Sequence, residues 1–173
     1  LSVGDPKNPK NNLGAIVSKE HLKSILLKIK NSQDSGGKVL IGGNQVILSG
    51  ALKDGYYMSP CLIEKTKNTD KINQEEVFGP VATIMPFTRE NEVIKMCNET
   101  KYGLSACVFS NNISKAHRVA AKIDAGLIWI NSWLIRDLRI PFGGMKESGL
   151  GREGGYNSLN FFTEQKNVCV KID

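Results

Sequence analysis

Leu22, Ile25, Leu26 and Ile29 recur at i, i+3, i+4 and i+7 behind Ser18, a residue suited to capping a helix, so a helix is predicted from about residue 18 to residue 32. Gly36-Gly37 ends that unit, and Val39-Leu40-Ile41 follows as a short apolar strand stopped by Gly42-Gly43. From Val46 to Ile63 the pattern predicts two extended segments around Asp54-Gly55, a strong turn signal. A polar stretch from Lys65 to Gln74 precedes a predicted strand from Val81 to Phe87. Thr88 is then placed to cap a helix whose apolar members are Val93, Met96 and Cys97. Leu104 to Ser110 alternates as a strand does, and Leu127 to Asn131 reads as another. Between them Ala116, Val119, Ala120 and Ile123 mark an amphipathic helix, with Gly126 expected just past its C-terminus.

Residues 81–131 therefore alternate strand, helix, strand, helix, strand. This order predicts an α/β fold with a largely parallel sheet joined by crossover helices. The last segment, Phe161 to Ile172, is expected to be extended, with Val168, Val170 and Ile172 on one face. Such a strand needs a partner edge, in the same chain or in another subunit. The expected division is a main α/β portion over residues 1–157 and a return segment with an oligomerisation strand over 158–173.

Composition changes this picture little. A net charge of +6 raises the question of nucleic acid, but the lysines are spread along the chain and aromatics are not interleaved with them. A solvated basic surface is expected, with no nucleic-acid partner. No apolar stretch approaches the roughly 20 residues of a membrane span, so no membrane partner is expected either. The four cysteines, Cys61, Cys97, Cys107 and Cys169, are widely separated and contain no CxxC pair. They are expected to be small core residues of a cytoplasmic, reducing compartment rather than a disulfide framework. Two histidines, His21 and His117, supply too few ligands for a transition-metal site. The opening Leu1-Ser2-Val3-Gly4-Asp5-Pro6 begins without methionine, and the chain is expected to be a piece of a longer one.

Gly149-Leu150-Gly151-Arg152-Glu153-Gly154 matches G-x-G-x-x-G literally. A dinucleotide fingerprint requires a buried strand before it and a helix N-terminus after it to receive a pyrophosphate. Phe142 to Ser148 does not read as a buried strand, so a glycine-rich loop is expected here instead.

Two longer phrases carry more information. Glu75-Glu76-Val77-Phe78-Gly79-Pro80 resembles a signature of the aldehyde dehydrogenase superfamily, and so does the run from Pro141 to Glu153 (Pro-Phe-Gly-Gly-Met-Lys-x-Ser-Gly-x-Gly-Arg-Glu). Tyr102-Gly103-Leu104-Ser105-Ala106 and Gly126-Leu127-Ile128-Trp129-Ile130-Asn131 fall between them in that family's order. The resemblance covers essentially the whole chain and is to the C-terminal part of the family's catalytic domain. It implies an enzyme that oxidises an aldehyde to a carboxylic acid through a cysteine adduct, with NAD as hydride acceptor and NADP left open.

The resemblance also implies that the nucleophilic cysteine precedes the Val3-Gly4-Asp5-Pro6 phrase, so no catalytic residue is expected in this segment, which alone would be inactive. It implies that Glu76 holds the nicotinamide ribose, as an acceptor-only carboxylate can by taking both ribose hydroxyls. The alternative is a solvated loop carboxylate. Phe78 corresponds to an aromatic packed near the nicotinamide, or else fills the core. Some members set Gln and Lys from the first helix against the cofactor. Glu20-His21-Leu22-Lys23-Ser24 departs from that pattern, and no cofactor contact is expected there.

Trp133-Leu134-Ile135-Arg136-Asp137-Leu138-Arg139 corresponds to a loop lining the aldehyde tunnel. Its two arginines resemble a branch of the family that acts on carboxylate-bearing semialdehydes. Leu134, Arg136 and Phe142 are the substrate-binding residues this implies, with the Arg136 guanidinium gripping a substrate carboxylate. The alternative is that Arg136 and Arg139 pair with Asp137 or with a neighbouring subunit. The resemblance further implies a homodimer or homotetramer joined through the C-terminal strand. A second reading is a non-catalytic structural or assembly protein on the same fold, for which Glu76 and Arg136 would have no use.

Overall fold

The computed structural model describes all residues 1–173, which divide into two compact units, Leu1–Phe87 and Thr88–Asp173.

In the first unit, α1 (Lys19–Asp34) begins where expected, and the Ser18 hydroxyl accepts the His21 N–H at 3.1 Å. Its end is set by Gly36 at φ +100°, after which the Gly37 N–H returns to the Ser32 carbonyl. Leu22, Ile25 and Ile29 are buried and form one core with Met58, Cys61 and Ile63. The sheet beside them contains β1 (Lys38–Ile41), β4 (Cys61–Glu64) and β5 (Val81–Thr83) in the order β1-β4-β5. A separate antiparallel pair is made by β2 (Gln45–Val46) and β3 (Tyr57–Met58). These two-residue strands are what remain of the two longer extended segments expected around Asp54-Gly55, because a 3-10 turn at Gly50–Leu52 occupies part of the connection. The helical turn α2 (Lys71–Gln74) leads into the Glu75–Pro80 phrase.

In the second unit, α3 (Glu90–Asn98) and β6 (Tyr102–Gly103) precede β7 (Ser105–Val108), α4 (Ile113–Ala120) and β8 (Leu127–Ile130). The β7-α4-β8 order is the expected parallel crossover, with Ser105 opposite Leu127 and Val108 opposite Ile130. Ala116 and Val119 are the buried face of α4. Asn131 closes the pair: its side chain accepts the Ser110 N–H and donates to the Ser110 carbonyl, as another strand residue would. Two further elements complete the unit, β9 (Met145–Lys146), antiparallel to β6, and α5 (Gly155–Phe162).

Several expectations are corrected. The sheet is not one largely parallel layer: β4–β5 and β7–β8 are parallel, whereas β1–β4, β2–β3 and β6–β9 are antiparallel. The strand expected to reach Phe87 stops at Thr83, because β4 offers partners only as far as Ile63 opposite Thr83 and Pro86 lacks a ladder donor. The α3 cap lies at Arg89, with the Glu92 carboxylate accepting from Thr88 and Arg89, and its buried residue is Ile94 rather than Met96 or Cys97. Cys97 and Cys169 are exposed, so they are not core residues. Gly126 does not end α4, which stops at Ala120. A Cβ on Gly126 would stand 1.6 Å from the Gly143 carbonyl oxygen, so this glycine is required by a close backbone approach.

The C-terminal segment finds no edge to pair with inside this chain. Phe161 lies in α5, which runs through the boundary expected at 157/158, and residues 163–173 form no strand. An extended segment without a paired edge leaves its ladder groups to water. Val168, Val170 and Ile172 are exposed along it.

Candidate functional site

The Glu75–Pro80 loop rests on α1. Val77 is half-buried and packs on the first unit's core, whereas its neighbours Glu76 and Phe78 are exposed. Glu76 is exposed, and its carboxylate makes no hydrogen bond or ion pair. The adjacent Glu75 carboxylate instead lies 3.7 Å from Lys28 Nζ. Phe78 is 73% exposed, so it fills no core within this chain. Its backbone is held at φ +52°, a left-handed conformation that costs roughly 1–3 kcal/mol for a residue with a Cβ.

Two side chains of α1 hold this backbone. His21 Nε2 lies 2.8 Å from the Phe78 carbonyl, and the two rings meet edge to face with centroids 6.0 Å apart. Lys28 Nζ donates to the Glu76 carbonyl at 2.7 Å. Neither residue was expected at the site, because their partners lie far away in sequence. The legible signal was their common face on the helix, with Ile25 between them. A Cβ on Gly79 would come within 2.6 Å of Ile25 Cδ1, so the glycine lets the loop settle against that face. The Glu76 carboxylate and the Phe78 ring are thus both left uncovered on a tethered backbone.

In the second unit, the Pro141–Glu153 run folds back on itself. Phe142 and Glu153 exchange backbone hydrogen bonds, each 2.8 Å, which places their residues in register. Arg152 Nη1 donates to the Gly144 and Gly151 carbonyls, and the Ser148 hydroxyl accepts the Gly103 N–H. Lys146 Nζ donates to the carbonyls of Asn98 and Thr100 at the end of α3. The literal G-x-G-x-x-G is thus part of a closed loop. The two-residue β9 precedes it, and Gly154 at φ +92° leads into α5.

This fold-back presents Phe142 to Arg136. The guanidinium carbon lies 4.3 Å from the Phe142 ring centroid, and Nη2 donates to Glu153 Oε1 at 2.9 Å. Within the chain, Glu153 rather than Asp137 is therefore the partner of Arg136. An exposed ion pair contributes about 0–1 kcal/mol and an exposed cation–π contact about 0.5–1 kcal/mol, so both orient the guanidinium without sequestering it. Nε and Nη1 remain without partners. Arg139 is different: its fork is taken by both oxygens of Asp137, whose carboxyl is held below the usual range first by that side-chain bond. Leu134 is exposed on the same loop at φ +57°. The loop is anchored through Trp129 Nε1, which donates to the Ile135 carbonyl at 2.7 Å, and through Trp129 packed on Trp133.

None of the cysteines is set up as a nucleophile. Burial pushes the Cys61 thiol up, away from the reactive thiolate, and Cys107 Sγ donates to the Ser132 carbonyl. Cys169 lies exposed in the irregular tail.

The Glu76 carboxylate and Phe78 ring lie uncovered on one loop, and the Arg136 guanidinium is held over the Phe142 ring on another. The chain belongs to the aldehyde dehydrogenase family, whose pattern matches residues 1–168. It is 47% identical over 171 residues to 2-aminomuconic semialdehyde dehydrogenase of Danio rerio, covering 98% of this chain and 35% of that protein. It is 41% identical to 2-hydroxymuconic semialdehyde dehydrogenase of a Pseudomonas strain, covering 99% of this chain and again 35% of the relative. Among solved structures, P. syringae indole-3-acetaldehyde dehydrogenase, in complex with NAD+, superposes with a TM-score of 0.89 at 34% identity, over 99% of this chain and 34% of that one. Betaine aldehyde dehydrogenase of Staphylococcus aureus, also in complex with NAD+, gives 0.87 at 36% identity, over 93% and 32%. The chain thus spans about a third of the length of the proteins it matches.

Proposed function

We propose that this chain is the nicotinamide-holding and aldehyde-selecting part of an NAD-dependent dehydrogenase that oxidises a carboxylate-bearing semialdehyde to the corresponding acid. The observation that carries the reading is the free Glu76 carboxylate beside the exposed Phe78 ring, two residues apart on one tethered loop. Glu76 accepts from the ribose hydroxyls, and Phe78 offers a flat apolar face to the nicotinamide. The bound dinucleotide supplies the hydride acceptor. Solved relatives that carry NAD+ support the choice of cofactor.

Arg136 takes the substrate's distal carboxylate. Its fork is matched to that group, and an incoming carboxylate competes only with one exposed bond to Glu153. Phe142 keeps the guanidinium in place, and Leu134 on the same loop offers apolar surface to the aldehyde's carbon chain. The semialdehyde named in both relatives above supports this substrate class. The nucleophile lies outside these residues, since no cysteine here has an activating neighbour. The exposed apolar side chains of Phe161, Val168, Val170 and Ile172 are covered in a homodimer or homotetramer, which supplies the missing edge.

Glu76→Gln in the full-length protein is expected to weaken NAD binding about tenfold, the loss of roughly 1.4 kcal/mol that accompanies replacing an ionised acceptor by a neutral one. The KM for aldehyde is expected to stay within about twofold, because the substituted group does not touch substrate. Isothermal titration with NAD measures the first and steady-state kinetics the second. An unchanged NAD affinity would reject the role assigned to Glu76.

A further inference from the structure

We infer that His21 and Lys28 are positioning residues that fix the backbone of the Glu76–Phe78 loop and determine which of two adjacent glutamates is left free for a ligand. This rests on the proposed cofactor role of Glu76 and Phe78. The two residues lie on one face of α1, two turns apart, with the fully buried Ile25 between them. Each donates to a different carbonyl of the same loop, Lys28 Nζ to Glu76 at 2.7 Å and His21 Nε2 to Phe78 at 2.8 Å. Neither touches the Glu76 carboxylate, so they act on it only through the backbone.

The consequence differs for the two residues. Glu75 and Glu76 are chemically identical neighbours, and an untethered loop could offer either carboxylate outward. Lys28 breaks that symmetry, because one ammonium both pairs with the Glu75 carboxylate and holds the Glu76 carbonyl. With Glu75 engaged, Glu76 is the acidic side chain of the loop that remains unpartnered. His21 acts on the ring. Phe78 stands in the left-handed region, and a donor at its carbonyl together with an edge-on imidazole holds that conformation and the ring's direction. The Phe78 carbonyl can only accept, so the proton of this contact sits on His21 Nε2.

The test uses the full-length protein with Lys28→Met, Lys28→Arg, His21→Leu, His21→Gln and Glu76→Gln, measured for NAD affinity by titration calorimetry, for aldehyde KM and for melting temperature. Lys28→Met and His21→Leu are expected to weaken NAD binding about fivefold each and to leave aldehyde KM within about twofold. The donor-retaining Lys28→Arg and His21→Gln are expected to recover most of that loss. Lys28→Met combined with Glu75→Gln is expected to be no better than Lys28→Met alone, because the carbonyl tether is still missing. If Glu76→Gln weakens NAD binding while Lys28→Met and His21→Leu only lower the melting temperature, the inference is overturned and the cofactor reading stands. If Glu76→Gln itself leaves NAD affinity unchanged, the cofactor reading fails, and the positioning role falls with it.

Discussion

Replacing Arg136 with alanine in the full-length protein is expected to raise the KM for a carboxylate-bearing semialdehyde about thirtyfold, equivalent to about 2 kcal/mol for a charge-assisted bidentate contact. An aldehyde of the same length without the carboxylate is expected to change by less than about twofold, since it never engages the guanidinium. Arg136→Lys is expected to recover only part of the loss: the charge returns, but the planar fork and its stacking on Phe142 do not. The geometry makes this effect large. Arg139 on the same loop is committed to Asp137, and Arg136 is held by only one ion-pair bond and one ring. A parallel fall for both aldehydes would mean that Arg136 merely supports the loop.

Gly126→Ala is expected to be the most damaging single substitution in the second unit, costing about 4 kcal/mol or more, because the clash is with backbone and not with a movable side chain. The added Cβ would fall 1.6 Å from the Gly143 carbonyl oxygen. Relief requires β8 or the Pro141–Glu153 loop to move, and either shift disturbs the Phe142–Glu153 register that presents both partners to Arg136. Gly126 does not sit at positive φ, so sterics alone set the cost. Urea unfolding of the full-length variant measures it. A midpoint within a few tenths molar of the parent would show that the loop accommodates the methyl.

The two units were unequally legible in the sequence. Helix α1 was readable because its cap, its apolar periodicity and its terminal glycines all agree, and a local agreement of that kind survives packing. Gly126 was misread for an instructive reason. A glycine after a helix suggests a left-handed cap, whereas here it marks where a distant backbone passes, and no local pattern encodes that. Alternating Val168, Val170 and Ile172 describe a strand only where an edge is present to pair with it, and the chain itself offers none. Preceding them, Leu159, Phe161 and Phe162 extend the helix instead.

The candidate site divides the same way. Glu76, Phe78, Arg136 and Phe142 stood out because whole phrases carried them. The residues that orient them did not: His21, Lys28 and Glu153 act through contacts spanning 57, 48 and 17 positions. Glu153 lay within a recognised phrase, yet nothing local indicated that Arg136 would be its partner. The helix face shared by His21 and Lys28 was visible as a spacing, but its loop partner was not.

The central claim is that the complete protein transfers hydride from a carboxylate-bearing aldehyde to NAD. The most direct measurement follows NADH formation by absorbance with two aldehydes of equal length, one with a distal carboxylate and one without. The account predicts NADH from both, with kcat/KM for the carboxylated substrate higher by about tenfold or more, the share of transition-state binding expected from the Arg136 contact. Equal kcat/KM values would contradict the substrate assignment. NAD binding without NADH from either aldehyde would contradict the dehydrogenase assignment itself.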